Sequence, residues 1–210
     1  MLNFQDFFAA CNGKWTIERS YHTLPAGDVE RSYTQYQVES IAPAQKQQIL
    51  ALATQAGVKV ANEAAVISEL PGFAIAFDTR SETGETVSMS LQALFVPDVY
   101  VATDAARKLP LPVAAQVTAT EEVIHGFYLR DQGYSEAGAA VGRFTYQPTR
   151  QTLEMTTYYR QSVAVDQMRM VAPNLRLRTI ITYQRPHNID EVPSIIDLVG
   201  FGMEQRQDSA

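Results

Sequence analysis

Two arginines stand one residue apart in the stretch VAPNLRLRTIIT, residues 171–182. On a β-strand, residues i and i+2 face the same side. Arg176 and Arg178 therefore share one face, and Leu175 and Leu177 the other. A guanidinium is a planar fork that matches a carboxylate. The pair either decorates a solvated surface, bridged to acids such as Glu18, Glu39 or Glu154, or lines a cavity and receives the anions of a ligand. Arg19 and Arg169 also fall within strand-like stretches and carry the same two readings. An arginine inside a barrel needs a carboxylate partner, because an unpaired buried charge is too costly. Few acids share these strands, so a ligand carboxylate can fill that place. Two arginines on one face suit a ligand with two carboxylates and a large apolar body.

Other chemistries are poorly supplied. The chain holds one cysteine, Cys11, which rules out an intramolecular disulfide and argues against a thiolate metal site. Its three histidines, His22, His125 and His187, are scattered without metal-ligand spacing. There is no Gly-x-Ser-x-Gly, no phosphate-cradling glycine loop and no HExxH. A formal net charge of −6 argues against nucleic acid or an anionic membrane as the main partner. No window approaches the ~18 consecutive apolar residues of a membrane span. The opening MLNFQDFFAACNGKW lacks a basic start followed by an apolar run, so no signal peptide is expected and a cytoplasmic location is.

The elements that must position the arginines can be read from pattern. Residues 3–11 form a short amphipathic helix with Phe4, Phe7 and Phe8 on one face, ended at Asn12-Gly13. KWTIERSYHTL then alternates, with Trp15, Ile17, Arg19 and Tyr21 on one face. RSYTQYQVESI alternates after the turn PAGD. One main helix, about 43–56, opens at Pro43 and closes at Gly57, with Ile49, Leu52, Ala53 and Ala56 as its apolar stripe. The rest is β-rich, with candidate strands at 58–60, 64–69, 72–79, 86–96, 98–103, 123–130, 140–147, 152–160, 162–171, 174–184 and 195–203. Many short-spaced strands with one main helix make an all-β antiparallel barrel or sandwich. The apolar share of 46% suffices for one domain over 1–204, with 205–210 as a disordered tail. Gly13-Lys14-Trp15 before the first strand tilts the choice toward a ligand-holding barrel, where such a tryptophan closes one end under an arginine from a late strand.

Four segments in order resemble the S-type phycobilin lyases, the CpcS/CpeS family of cyanobacteria and related photosynthetic organisms. FFAACNGKWTIERSYHTL (7–24) resembles the family's opening; LRDQGYSEAGAAVGRF (129–144) and LEMTTYY (153–159) follow, and VAPNLRLRT (171–179) resembles its FASPNLRxRT signature. The resemblance implies a lipocalin-like or fatty-acid-binding-protein-like antiparallel ten-stranded β-barrel. It implies binding of a linear tetrapyrrole, phycocyanobilin or another phycobilin, and its attachment by a thioether to a cysteine of an apo-phycobiliprotein subunit. No tightly bound cofactor or metal is implied.

The bilin's two propionates on an extended apolar chromophore fit the ligand deduced from the arginine pair. By the family pattern, Arg19, Arg176 and Arg178 hold the bilin, and Asn174, Trp15 and Tyr158 join them as ligand-binding residues. The family strand at 158–167 is rich in glutamate, and one carboxylate there is the candidate to protonate the bilin; here Asp166 alone occupies an acidic position, and Tyr158 and Arg160 replace acids. Trp15 is the only tryptophan, where family members carry more. Such losses would also suit a non-catalytic partner subunit of a heterodimeric lyase. A carrier of another carboxylated apolar ligand is the third reading. Strand edges and the family habit suggest a homodimer or a heterodimer with a sister subunit.

Overall fold

The structure, a computed structural model, describes residues 1–102, 109–117, 122–133 and 138–207. Residues 134–137 of the LRDQGYSEAGAAVGRF segment and 208–210 of the expected tail lie outside the described residues. Helix α1 (Phe4–Cys11) leads into β1 (Gly13–Thr23) and β2 (Asp28–Ser40). Helices α2 (Pro43–Gln55) and α3 (Glu63–Val66) precede the hairpin of β3 (Gly72–Ser81) and β4 (Thr86–Pro97). The remaining strands are β5 (Ile124–Arg130), β6 (Ala140–Gln147), β7 (Thr152–Tyr158), β8 (Ser162–Ala172), β9 (Leu175–Gln184) and β10 (Ile196–Arg206).

These ten strands close into one antiparallel barrel, each paired with its sequence neighbours and β10 returning to β1. Closure follows from alternation. On β2, Ser32, Thr34, Tyr36 and Val38 are buried while Arg31, Tyr33, Gln35 and Glu39 are exposed. A sheet with one apolar face and no other sheet to cover it can bury that face by curling on itself. Every strand pairs with both of its neighbours, but β4 meets β5 only through Ala93–Pro97, so among the described residues the first half of β4 is paired with β3 alone.

Helix α1 plugs the end of the barrel where β1 begins and β10 ends. Asn3 caps it, its side chain accepting from the Asp6 amide at 2.9 Å. Gly13, at φ 120°, takes a backbone conformation that would strain other residues, and the chain turns there from helix to strand. Phe4, Phe7 and Phe8 point into the barrel: Phe8 meets Phe95 at 4.5 Å between ring centroids, and Phe4 stacks on Phe144 at 5.5 Å. Each such buried ring contributes roughly 1.5–3 kcal/mol. The opposite end is not plugged by this cluster.

Helix α2 covers the outside of β4 and β5. Its buried stripe is Lys46, Ile49, Leu50 and Ala53, packed on Leu94, Val96, Phe127 and Leu129. This corrects the expected stripe, since Leu50 rather than Leu52 faces the sheet and Ala56 is exposed. Lys46 belongs to the stripe because its ammonium donates to the carbonyls of Ile67, Ser68 and Leu70 at 3.1, 3.3 and 2.6 Å. The expected strand at 64–69 is the short helix α3 and a turn, entered through Asn62 in the left-handed region. Of 58–60 and 98–103, only a Val60–Val101 bridge and a 3₁₀ turn at Asp98–Tyr100 form; residue 103 lies outside the described residues. Strand β10 runs through residues 205 and 206 rather than ending before the expected tail, held by pairing with β1 and β9.

Candidate functional site

The inner wall carries a ladder of charge laid across β8, β9, β10 and β1. At its base the Arg176 guanidinium lies 3.7 Å from the centroid of the Trp15 ring. Its Nε is 2.8 Å from Glu204 Oε2, and its Nη2 donates to the Tyr36 hydroxyl at 2.6 Å. Arg176, Glu204 and Trp15 are each 1% exposed. Burial alone would push the Glu204 carboxyl up, but the guanidinium groups of Arg176 and Arg178 hold it below the usual carboxylate range. Burial likewise pushes the Tyr36 phenol well above its ordinary value.

One step up, Arg178 bridges two acids: its Nη2 is 2.6 Å from Asp166 Oδ2, and its Nη1 3.5 Å from Glu204 Oε1. Arg19 follows across β10, since Arg178 and Arg19 are both in register with Gly202. Its Nη1 donates to the Tyr21 hydroxyl at 3.0 Å, and it forms no ion pair among the described residues. Three arginines thus meet two carboxylates, and the surplus positive charge rests on Arg19.

Above this ladder lies a cavity of about 390 Å³, within the usual range for small-molecule sites. Arg19, Arg178, Asp166 and Glu204 form its polar wall; Ile75, Phe77, Met89, Tyr128 and Ile180 supply apolar surface. It reaches Val87, Tyr159 and Ala164, near the strand ends farthest from α1. Opposite the ladder, Arg130 is 2% exposed, its Nη2 donating to the Tyr159 hydroxyl at 2.7 Å and its guanidinium 5.3 Å from the Tyr128 ring centroid.

The site residues expected from sequence divide accordingly. Arg19, Arg178 and Asp166 come together on the cavity wall. Trp15 and Arg176 form the layer beneath it: the indole Nε1 donates to the Cys11 carbonyl at 2.9 Å, and Arg176 is consumed by Glu204, Tyr36 and the indole face. Asn174 is exposed in the β8–β9 turn, at the plugged end, where its carbonyl accepts from the Arg206 amide at 2.9 Å. Tyr158 faces outward, because Met155, Thr157 and Tyr159 take the inner parity. Its hydroxyl donates to the Pro110 carbonyl at 2.5 Å, and burial pushes the phenol up to about 12. Sequence reading missed Glu204 and Arg130. Both were signalled by period two: Gly200-x-Gly202-x-Glu204 on β10, and Tyr128-x-Arg130 on β5.

Among the described residues no group of histidine, cysteine and acidic side chains could hold a metal, and no helix is long and apolar enough to cross a membrane. The cavity wall sets guanidinium groups beside apolar surface, an arrangement that can receive an anion carried on an apolar body.

Comparison with known proteins agrees with the fold. The chain is 37% identical over 206 residues to chromophore lyase CpcS/CpeS 1 of Synechococcus sp. (strain JA-3-3Ab), covering 98% of this chain and 97% of that protein. Its fold matches the S-type phycobiliprotein lyase CPES of Guillardia theta with a TM-score of 0.69 at 17% identity, covering 100% of this chain and 95% of the other. The family model described as CpeS-like protein matches residues 3–207, and the chain belongs to that family.

Proposed function

We propose that the chain is a phycobiliprotein chromophore lyase. The barrel holds a linear tetrapyrrole, phycocyanobilin or another phycobilin, and the chain attaches it to a cysteine of an apo-phycobiliprotein subunit. The observation that carries this reading is Arg19, a guanidinium that has no ion pair among the described residues, on the wall of an aromatic cavity in a chain of the CpeS-like family. A bilin propionate is the missing counter-charge. Arg178, already fixed by Asp166 and Glu204, is the second cation within reach.

The reaction is an addition. The partner's sulfur forms a bond to the exocyclic vinylic carbon of the bilin, the C=C electron pair takes up a proton, and the thiol proton is released. No oxidant is consumed. Asp166 Oδ1 makes no hydrogen bond on the cavity wall. A carboxylate oxygen there would accept from pyrrole N–H groups and favour the protonated, more electrophilic tetrapyrrole. The mechanism is otherwise positional: hold the pigment extended, neutralise its propionates, and present its reactive end at the end of the barrel away from α1.

In this reading the chain is one bilin-binding domain that works in the cytoplasm. The fixing of Asp166 by Arg178 favours one second reading, a non-catalytic partner subunit. Incubation with phycocyanobilin and an apo-phycobiliprotein tests both. A lyase gives a thioether adduct on the partner with this chain alone; a partner subunit gives it only when a sister chain is added; no adduct in either case sinks the assignment. Arg19→Gln is expected to weaken phycocyanobilin binding about tenfold or more, the range of a lost charge-assisted hydrogen bond, read by absorbance titration.

A further inference from the structure

Strand β10 presents two glycines to the barrel interior, and each removes a side chain beside the polar wall. Gly202 is in register with Arg19 on one side and Arg178 on the other. Gly200 is in register with Tyr21 and Ile180. Side chains directly opposite in an antiparallel pair normally stand side by side. On the β10 side Tyr21 has no side chain to stand against, and its ring lies over β10 instead. A Cβ at Gly200 would come within 2.6 Å of Tyr21 Cδ1 and 2.7 Å of Cε1, so the ring occupies the space a side chain would fill.

From that seat the Tyr21 hydroxyl accepts the Arg19 Nη1 hydrogen bond at 3.0 Å. Among the described residues it is the one hydrogen bond that orients this guanidinium, and Arg19 Nε is buried with no acceptor there. The other cavity arginines are aimed differently: Arg178 by two carboxylates, Arg130 by a hydroxyl and flanking rings. Arg19 combines a neutral anchor with an unmet donor. A neutral anchor fixes direction without cancelling charge, which leaves the full attraction for an incoming anion.

We propose that Tyr21, seated on Gly200, is the positioning residue that aims Arg19 into the cavity and thereby sets the site's preference for a free carboxylate over its ester. This rests on the reading of the cavity as a bilin site, and adds to it where the acid selectivity comes from. Without the hydroxyl, Arg19 can swing toward Glu204, whose carboxylate already lies within its field. That would spend the surplus charge inside the wall.

The test is a titration of the wild-type chain, Tyr21→Phe and Gly200→Ala with phycocyanobilin and with its dimethyl ester, alongside the ¹⁵N NMR signal of the Arg19 Nε–H. Tyr21→Phe keeps the ring on Gly200, so it keeps the fold. It is expected to bind the diacid about tenfold more weakly, to bind the ester as wild type does, and to lose the distinct Arg19 signal. Gly200→Ala should give the same pattern by lifting the ring. If Tyr21→Phe retains the wild-type preference, or loses diacid and ester affinity equally, Tyr21 does not aim Arg19. If the wild-type chain itself fails to prefer the diacid, the reading of the cavity fails first and this inference with it.

Discussion

Three arginines close together on the inner wall have acquired three different jobs through the number of partners each meets. Arg176 is saturated by an acid, a phenol and an indole face; Arg178 is shared by two acids; Arg19 keeps its charge for something else. The first job is structural, and its removal has a defined cost. Arg176→Ala leaves Glu204 in a nearly dry site with its closest cation gone. Breaking a buried pair in this way costs about 3–5 kcal/mol, so the urea midpoint should fall sharply at unchanged slope. Glu204→Gln added to Arg176→Met should restore much of that loss, because no buried charge is then left stranded; failure to restore it would show that the indole contact dominates. The shared face of Arg176 and Arg178 was legible in the sequence, because parity is local. Their division of labour was not. It depends on Glu204, which joins them only through the β9–β10 register, and on Trp15, which arrives from the first strand. Asn174 and Tyr158 fail for the same kind of reason: a motif shows that a residue matters, but a turn or a one-residue parity decides where it points.

At the scale of elements, the outer wall formed by β6, β7 and β8 hides a carboxyl that no sequence pattern marks. Glu154 is 2% exposed and accepts from Thr145 Oγ1 at 3.1 Å and Thr156 Oγ1 at 2.5 Å. Burial pushes it up to about 7, against the pull of those two hydroxyls. The folded state therefore holds this proton more tightly than the unfolded chain, whose carboxyl titrates near 4.5. The stabilisation is complete below about 4.5 and is lost as pH rises through about 7, to a total of about 3 kcal/mol. Relative to Glu154→Gln, the wild-type chain should weaken across that window and run parallel above it. Denaturant unfolding of both chains from pH 5 to pH 8 reads the difference, and a constant offset would mean that Glu154 is charged throughout. The strands themselves were readable because alternation over 7–13 residues is a strong signal. The region 58–70 was not, since its apolar run serves the underside of α2 and α3 rather than a sheet, and periodicity cannot tell those apart in so short a span.

The whole molecule is a barrel with two unlike ends, and this asymmetry makes its one tryptophan a gauge. Trp15 lies at the plugged end, 1% exposed, beneath Arg176 and next to the aromatic cluster that α1 drives into the barrel. The Arg176 guanidinium, 3.7 Å from the indole, lies between it and the Tyr36 and Glu204 side chains of the cavity wall. Water reaches the indole from neither side, so Trp15 emission should be that of a dry indole and should resist acrylamide. A bilin drawn into the barrel would come to rest just beyond those side chains, close enough to drain the excited state. Titration with phycocyanobilin should therefore quench Trp15 emission to a plateau near one pigment per chain, in step with the pigment's own spectral change. A pigment that instead bound the outer surface would change its spectrum while Trp15 stayed bright or lost emission without saturating. Because Trp15 is the sole reporter and lies on the barrel axis side of β1, the two outcomes separate binding in the cavity from binding on the barrel's faces without any substitution at the site.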